Sequence, residues 1–180
     1  MEKLLNNAFK GDPRSIGRLI SLVEADTPSA KEIMKHVYPR TGKAKIIGIT
    51  GSPGAGKSTF VDRLIEQFQA EGSKVGVIAI DPSSPFTGGA ILGDRLRMQG
   101  HALNENVFIR SMGSRGHLGG VSRSTHEASL ILDACGFDVV LIETVGVGQS
   151  EVDIIKIADT VVLVLVPGMG DDVQDRKSVV

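Results

Sequence analysis

Between Gly48 and Thr59 the chain reads GITGSPGAGKST. Gly51, Gly56, Lys57 and Ser58 stand at the spacing Gly-x-x-x-x-Gly-Lys-Ser, which marks a loop that holds nucleotide phosphates. The chemistry follows from the residue types. Gly51, Gly54 and Gly56 let backbone N–H groups approach phosphate oxygens at the start of a helix, with no Cβ in the way. Lys57 supplies a cation for the β- and γ-phosphates, and the Ser58 hydroxyl is a ligand for Mg²⁺. Ser52, Pro53 and Ala55 complete the cradle, and Thr59 adds a contact further back along the phosphate chain.

A site of this kind also needs carboxylates for the metal. In a parallel sheet, ligands gather at the carboxyl ends of the strands. Asp81 directly follows VGVIAI and Glu143 directly follows VVLI, so both are expected on the edge that carries the loop. Asp138 begins its strand instead. At ~3.3 Å per residue it falls about 16 Å from Glu143 and is expected to be a solvated strand-start residue. Glu143-Thr144-Val145-Gly146 has the form of a switch. Its carboxylate is expected to reach the metal directly or through water, and the Gly146 N–H to sense the γ-phosphate and move after hydrolysis.

Residues 81–100, DPSSPFTGGAILGDRLRMQG, are rich in turn formers and charges. Asp94 is a second acidic candidate for the metal. Arg95 and Arg97 read as solvated charges. Arg115 and His117, in MGSRGHLGG, are taken as loop residues. Gln149 lies too far past Gly146 to be given the task of positioning water.

The elements that must position these groups show in the periodicity. Strands are expected at Ile46–Thr50, Val75–Ile80, Val107–Arg110, Val139–Ile142 and Val161–Val166. Helices are expected at Lys57–Ala70, with Phe60, Leu64 and Phe68 on one face, and at Val121–Ala134 and Glu151–Ile157. Alternating strands and helices imply an α/β fold with a mostly parallel sheet, and near-continuous apolar strands imply burial on both faces. Residues 1–42 read as a helical extension, and 43–180 as the phosphate-binding domain. Asp12 and Thr27 are placed as N-caps before Pro13 and Pro28. No chemistry is expected in the extension, and Pro39–Lys43 is the connector.

The composition is that of one domain of ordinary size. The chain has 180 residues, 41% of them hydrophobic, with a net charge of −1, which offers no electrostatic case for nucleic acid. Its one cysteine, Cys135, fits a reducing compartment and is expected in the core or at its boundary. No run has the roughly 18 apolar residues of a membrane span, and the N-terminus has no signal-peptide core. A cytoplasmic location is expected.

Four segments, GSPGAGKST, AIDPSSPFTGGAILGDRLRM, RSMGSRGHLGG and ETVGVGQSEVDI, together resemble the ArgK/MeaB-type G proteins, the methylmalonyl-CoA mutase-associated GTPases. The resemblance implies a three-layer P-loop NTPase that binds GTP or GDP with Mg²⁺. It implies a GTPase that escorts an adenosylcobalamin-dependent mutase, gating cofactor loading and protecting the enzyme. Gly51 to Thr59 carry over as phosphate binders, and Ser58, Asp81, Asp94 and Glu143 as the Mg²⁺ shell. The segment PGMGDDVQ resembles a further switch that communicates with the mutase. An alternative within the same resemblance is a kinase of amino-acid transport, and another is a nucleotide-binding fragment without activity. A metallochaperone for nickel enzymes is disfavoured, because the chain lacks a Cys/His cluster.

The sequence also departs from this pattern. Guanine is ordinarily selected by an Asn-Lys-x-Asp motif, and none occurs among these residues. The ending DRKSVV differs from the family, as if truncated or frame-disrupted, and later strands and a dimerisation arm are expected to be missing. The family homodimer would lack its arm here. The 180-residue chain is therefore expected to bind phosphates while discriminating guanine poorly. Calorimetric affinities for GTP and ATP should be similar, and a strong GTP preference would sink the idea.

Overall fold

The computed structural model describes residues 1–81, 104–113, 120–144 and 150–166. Among these residues, five strands form one parallel sheet: β1 Lys45–Gly51, β2 Val75–Asp81, β3 Val107–Gly113, β4 Val139–Glu143 and β5 Thr160–Val164. The spatial order is β3-β2-β4-β1-β5. Each strand falls on the expected apolar run, with ends shifted by up to a few residues. The α/β class and the parallel sheet expected from the sequence are present.

Alternation along the strands sorts two cores. Ile47 and Ile49 of β1, Val75 and Val77 of β2, and Val139 and Leu141 of β4 pack with Val61 and Ile65 of α4, Lys57–Ala70. Ile46, Ile78, Ile80, Val140 and Ile142 belong to the opposite core, with Ile131 and Leu132 of α5, Gly120–Ala134, and Ile154 of α6, Ser150–Ile157. Side chains one residue apart on a strand point to opposite faces, so helices cover both sides and the strands must be apolar throughout. Helix α4 has the expected bounds, but its buried stripe is Val61 and Ile65, with Leu64 and Phe68 partly buried against them. Phe60 is 37% exposed. The expected face was rotated by one residue, because Phe60-Leu64-Phe68 and Val61-Leu64-Ile65-Phe68 both satisfy helical spacing.

Residues 1–42 form α1, Glu2–Phe9, α2, Pro13–Glu24, and α3, Ala30–Val37, followed by a 3-10 turn at Tyr38–Arg40. Asp12 caps α2 as expected, accepting from the Ser15 N–H at 2.8 Å with Pro13 in the first turn. Thr27 does not cap α3. Its hydroxyl donates to the Leu22 carbonyl at 2.9 Å, and the helix starts later, after Ser29. Leu5, Ile16, Leu19, Ile20, Ile33 and Val37 share one buried cluster with the sheet and α5. At about 25 cal/mol per Å² of apolar area removed from water, such burial holds the helices against the sheet.

Two polar ties strengthen that attachment. The connector is fastened by Asp133 of α5, whose buried carboxylate accepts from the N–H groups of Gly42 at 2.6 Å, Lys43 at 3.2 Å and Ala44 at 3.0 Å. Burying a carboxylate is costly unless donors compensate it, and three main-chain donors do so here. Glu24, the last residue of α2, accepts from Arg110 Nη2 at 3.1 Å and from the Gly113 N–H at 3.3 Å, joining α2 to β3.

Cys135 is buried as expected, and desolvation pushes its thiol up to about 12 from 9.0. The folded state thus favours the protonated thiol. That contribution is complete below pH 9 and disappears as pH rises toward 12. Alkylation of Cys135 at pH 8 is expected to follow unfolding, with a rate in denaturant at least about 100-fold above the native rate. Equal rates would contradict the burial.

Candidate phosphate and metal site

The site forms where β1 gives way to α4. Strand β1 ends at Gly51 with φ +142°, and Gly56 precedes α4 at φ +90°, ψ 16°. The left-handed conformation at Gly56 suits a residue without a Cβ and turns the loop into the helix. The N–H groups of the first helical turn lack intrahelical partners and face the loop, as an anion site requires.

The three loop glycines differ in their surroundings. A Cβ on Gly51 would strike the Val164 carbonyl, whereas one on Gly54 or Gly56 would meet nothing within 4 Å among the described residues. Gly54 is set by its backbone instead: at φ +79° it lies in the left-handed region that L side chains rarely adopt. Gly54 therefore shapes the loop through its turn, and the open space beside it is room that a phosphate could take.

Lys57 is only 6% exposed. Its Nζ donates to the carbonyls of Gly51 and Ser52, both at 2.9 Å, so the ammonium is held inside the curve of the loop. The Ser52 hydroxyl is buried there with no hydrogen-bond partner among the described residues. A buried orphan hydroxyl beside a lysine fits an anionic ligand that would supply the missing acceptor.

Ser58 and Glu143 meet across the site. The Ser58 hydroxyl donates to Glu143 Oε1 at 2.6 Å, although 85 residues separate them in the chain. Register explains the encounter. Glu143 ends β4 beside Ile49 of β1 and Ala79 of β2, between the loop strand and β2. Glu143 is 9% exposed. A hydroxyl and a carboxylate are hard oxygen donors of the kind Mg²⁺ takes, usually completed by phosphate oxygens and water. This donor pair therefore fits Mg²⁺ held jointly with a nucleotide. No cluster of three or more His, Cys, Asp or Glu occurs among the described residues.

Asp81 closes β2 on the same carboxyl edge, beside Gly113 of β3. Asp94 and Gly146 lie outside the described residues, as do Arg95, Arg97, Arg115, His117, Gln149 and the PGMGDDVQ segment from Pro167 onward. Asp138 lies at the opposite end of β4. It is exposed, but it is more than a solvated residue: its Oδ2 accepts from the Lys74 N–H at 2.8 Å, capping the entry to β2. Sequence reasoning missed one pair beneath the loop. Thr50 and Thr144 are 3% and 1% exposed, and their hydroxyls lie 3.1 Å apart. The available signal was a threonine at the carboxyl end of each of two neighbouring strands, Thr50 closing one apolar run and Thr144 following Glu143 at the end of the other.

A parallel sheet, a glycine-rich loop between its strand β1 and helix α4, and a lysine folded into that loop define a P-loop NTPase of the α/β class. The family model described as methylmalonyl-CoA mutase-associated GTPase MeaB matches residues 16–180, and the chain belongs to that family. A Pyrococcus horikoshii protein, provisionally designated a GTPase, is 60% identical over 178 residues, which are 99% of this chain and 56% of the relative. The GTPase ArgK of Escherichia coli is 43% identical over 172 residues, 93% of this chain and 52% of ArgK. A crystal structure of a protein named LAO/AO transport system kinase superposes with a TM-score of 0.72 at 32% identity, covering 91% of this chain and 49% of that one. The chain thus spans about half the length of the relatives it matches. Among the described residues, no helix is long and apolar enough to cross a membrane.

Proposed function

We propose that the chain binds GTP with Mg²⁺ and hydrolyses it to GDP and phosphate, and that its nucleotide state governs escort of an adenosylcobalamin-dependent methylmalonyl-CoA mutase. The cytoplasm is the proposed setting. The carrying observation is the 2.6 Å contact between Ser58 and Glu143 at the mouth of a loop that already encloses Lys57. The family's description supplies the mutase as the proposed partner.

Gly51 to Thr59 wrap the phosphates with main-chain N–H groups. Lys57 exchanges two loop carbonyls for β- and γ-phosphate oxygens, keeping its charge paired as transition-state charge develops. Ser58 and Glu143 would hold Mg²⁺, with Asp81 and Asp94 proposed alongside. The ion, when bound, neutralises charge on the β- and γ-oxygens. The Gly146 N–H is proposed to report the γ-phosphate to the mutase-facing surface. Unassisted turnover on the order of 10⁻⁴ to 10⁻² s⁻¹ is expected.

The kinase name carried by the similar solved structure motivates a second reading, transfer of the γ-phosphate to a protein. Incubation with γ-labelled GTP separates the two. Label released as free phosphate, with release altered by added apo-mutase, supports the GTPase. Label fixed on protein would replace it with a kinase.

A further inference from the structure

We propose that Thr50 and Thr144 form a positioning pair that locks the metal-binding end of β4 to the phosphate-loop end of β1. The proposal deepens the nucleotide-site reading above and rests on it. Thr144 immediately follows Glu143, and Thr50 immediately precedes Gly51. The parallel register that sets Ile49 beside Glu143 continues for one more step, because the Thr144 N–H donates to the Ile49 carbonyl at 3.0 Å. The Thr144 hydroxyl donates to the same carbonyl at 3.4 Å and lies 3.1 Å from the Thr50 hydroxyl. Both hydroxyls are buried in positions where the alternation that places Ile46, Val140 and Ile142 in the core calls for apolar side chains.

Stability alone does not call for this chemistry. Replacing both partners of a buried hydrogen bond by apolar groups of the same shape is nearly neutral, whereas removing one strands the other. A Val–Val pair would serve a sheet whose only requirement was packing. The hydroxyl pair adds a directional tie between two strand ends. Those ends lead to Glu143 on one side and, through the loop, to Ser58 on the other. Fixing them relative to each other sets the Ser58–Glu143 separation on which a shared cation depends. Both threonines are positioning residues, since neither is placed in contact with the ligand.

The test is Mg²⁺-titrated binding of a fluorescent GTP analogue, with thermal melting recorded for each chain. Thr50→Val and Thr144→Val should each raise the Mg²⁺ needed for half-maximal binding about three- to tenfold. The double Val variant should shift the Mg²⁺ dependence as far as either single one and no further. It should also melt close to the wild type, while Thr144→Ser restores wild-type Mg²⁺ dependence. If a single Val variant fails to fold, the double variant and Thr144→Ser carry the same comparison. A double Val variant with wild-type Mg²⁺ dependence, or strictly additive single effects, would overturn the pair. A Lys57→Ala control separates the pair from the site. Loss of analogue binding there, alongside unaltered Thr variants, refutes the pair alone, whereas retained binding refutes the site and the pair together.

Discussion

Lys57→Ala is expected to eliminate measurable phosphate release from GTP, a loss of at least about 100-fold. Several features place the effect in the phosphates rather than in the fold. The Nζ sits inside the loop, 2.9 Å from two carbonyls that belong to the cradle itself. It is 6% exposed, so water does little to screen its charge. A charge-assisted bond to phosphate at such a site is worth roughly twice a neutral one. Alanine also leaves the Gly51 and Ser52 carbonyls facing the anion with nothing between, which adds repulsion to the lost attraction. Lys57→Arg should rescue poorly, because a planar fork does not fit the space of a compact ammonium. Single-turnover phosphate release on the purified variants checks this. Unchanged release from the alanine variant would remove Lys57 from the site.

Gly51→Ala should cost both stability and binding. At φ +142° an L side chain is strained before any neighbour is considered. A Cβ there would also drive into the Val164 carbonyl oxygen of β5, with the Val164 nitrogen at 3.2 Å. Backbone cannot step aside without breaking the β1–β5 ladder, so the expected loss is about 3 kcal/mol or more. For a domain of this size that lowers the melting temperature by about 10 °C. Gly17→Ala is the contrasting control. It lies within α2, with nothing within 4 Å of an added Cβ among the described residues. The control should stabilise by roughly 0.5–1 kcal/mol. Differential scanning calorimetry distinguishes the two, and equal melting points would contradict the Val164 clash.

These predictions depend on features of unequal legibility in the chain. The bounds of α4 could be read directly, because a phosphate-loop lysine opens the helix and a 3.6-residue period carries it to Ala70. Glu143 could be placed beside the loop because strand-end position is a local property once the sheet is parallel. Its partner Ser58 required only the motif. Which face of α4 is buried was not legible, since two overlapping stripes satisfy the same period and the sheet decides between them. The different tasks of Gly51 and Gly54 were hidden for a similar reason: only the paired strand β5 supplies the carbonyl that crowds the first and leaves the second open. The Thr50–Thr144 contact was less accessible still: it joins residues 94 apart and exists only in one register of β1 against β4. The same is true of Asp133 and the connector N–H groups. A carboxylate late in a helical pattern resembles any solvated acid until the fold brings unpaired donors to it.

The strand order also constrains when the molecule can become itself. Strand β1 is synthesised before its two neighbours, yet it lies between β4 and β5. The β4 contact closes over 94 residues and the tie from Asp159 to Ile46 over 113. At ~5–20 residues per second, the phosphate-loop strand waits on the order of 5–20 s on the ribosome before either flank exists. During that interval β1 lacks both strands that pair with it, and every long-range closure must be made before its contacts repay the entropy. If the chain binds nucleotide as proposed, the Glu143 half of the site joins the phosphate loop only once β4 has been delivered.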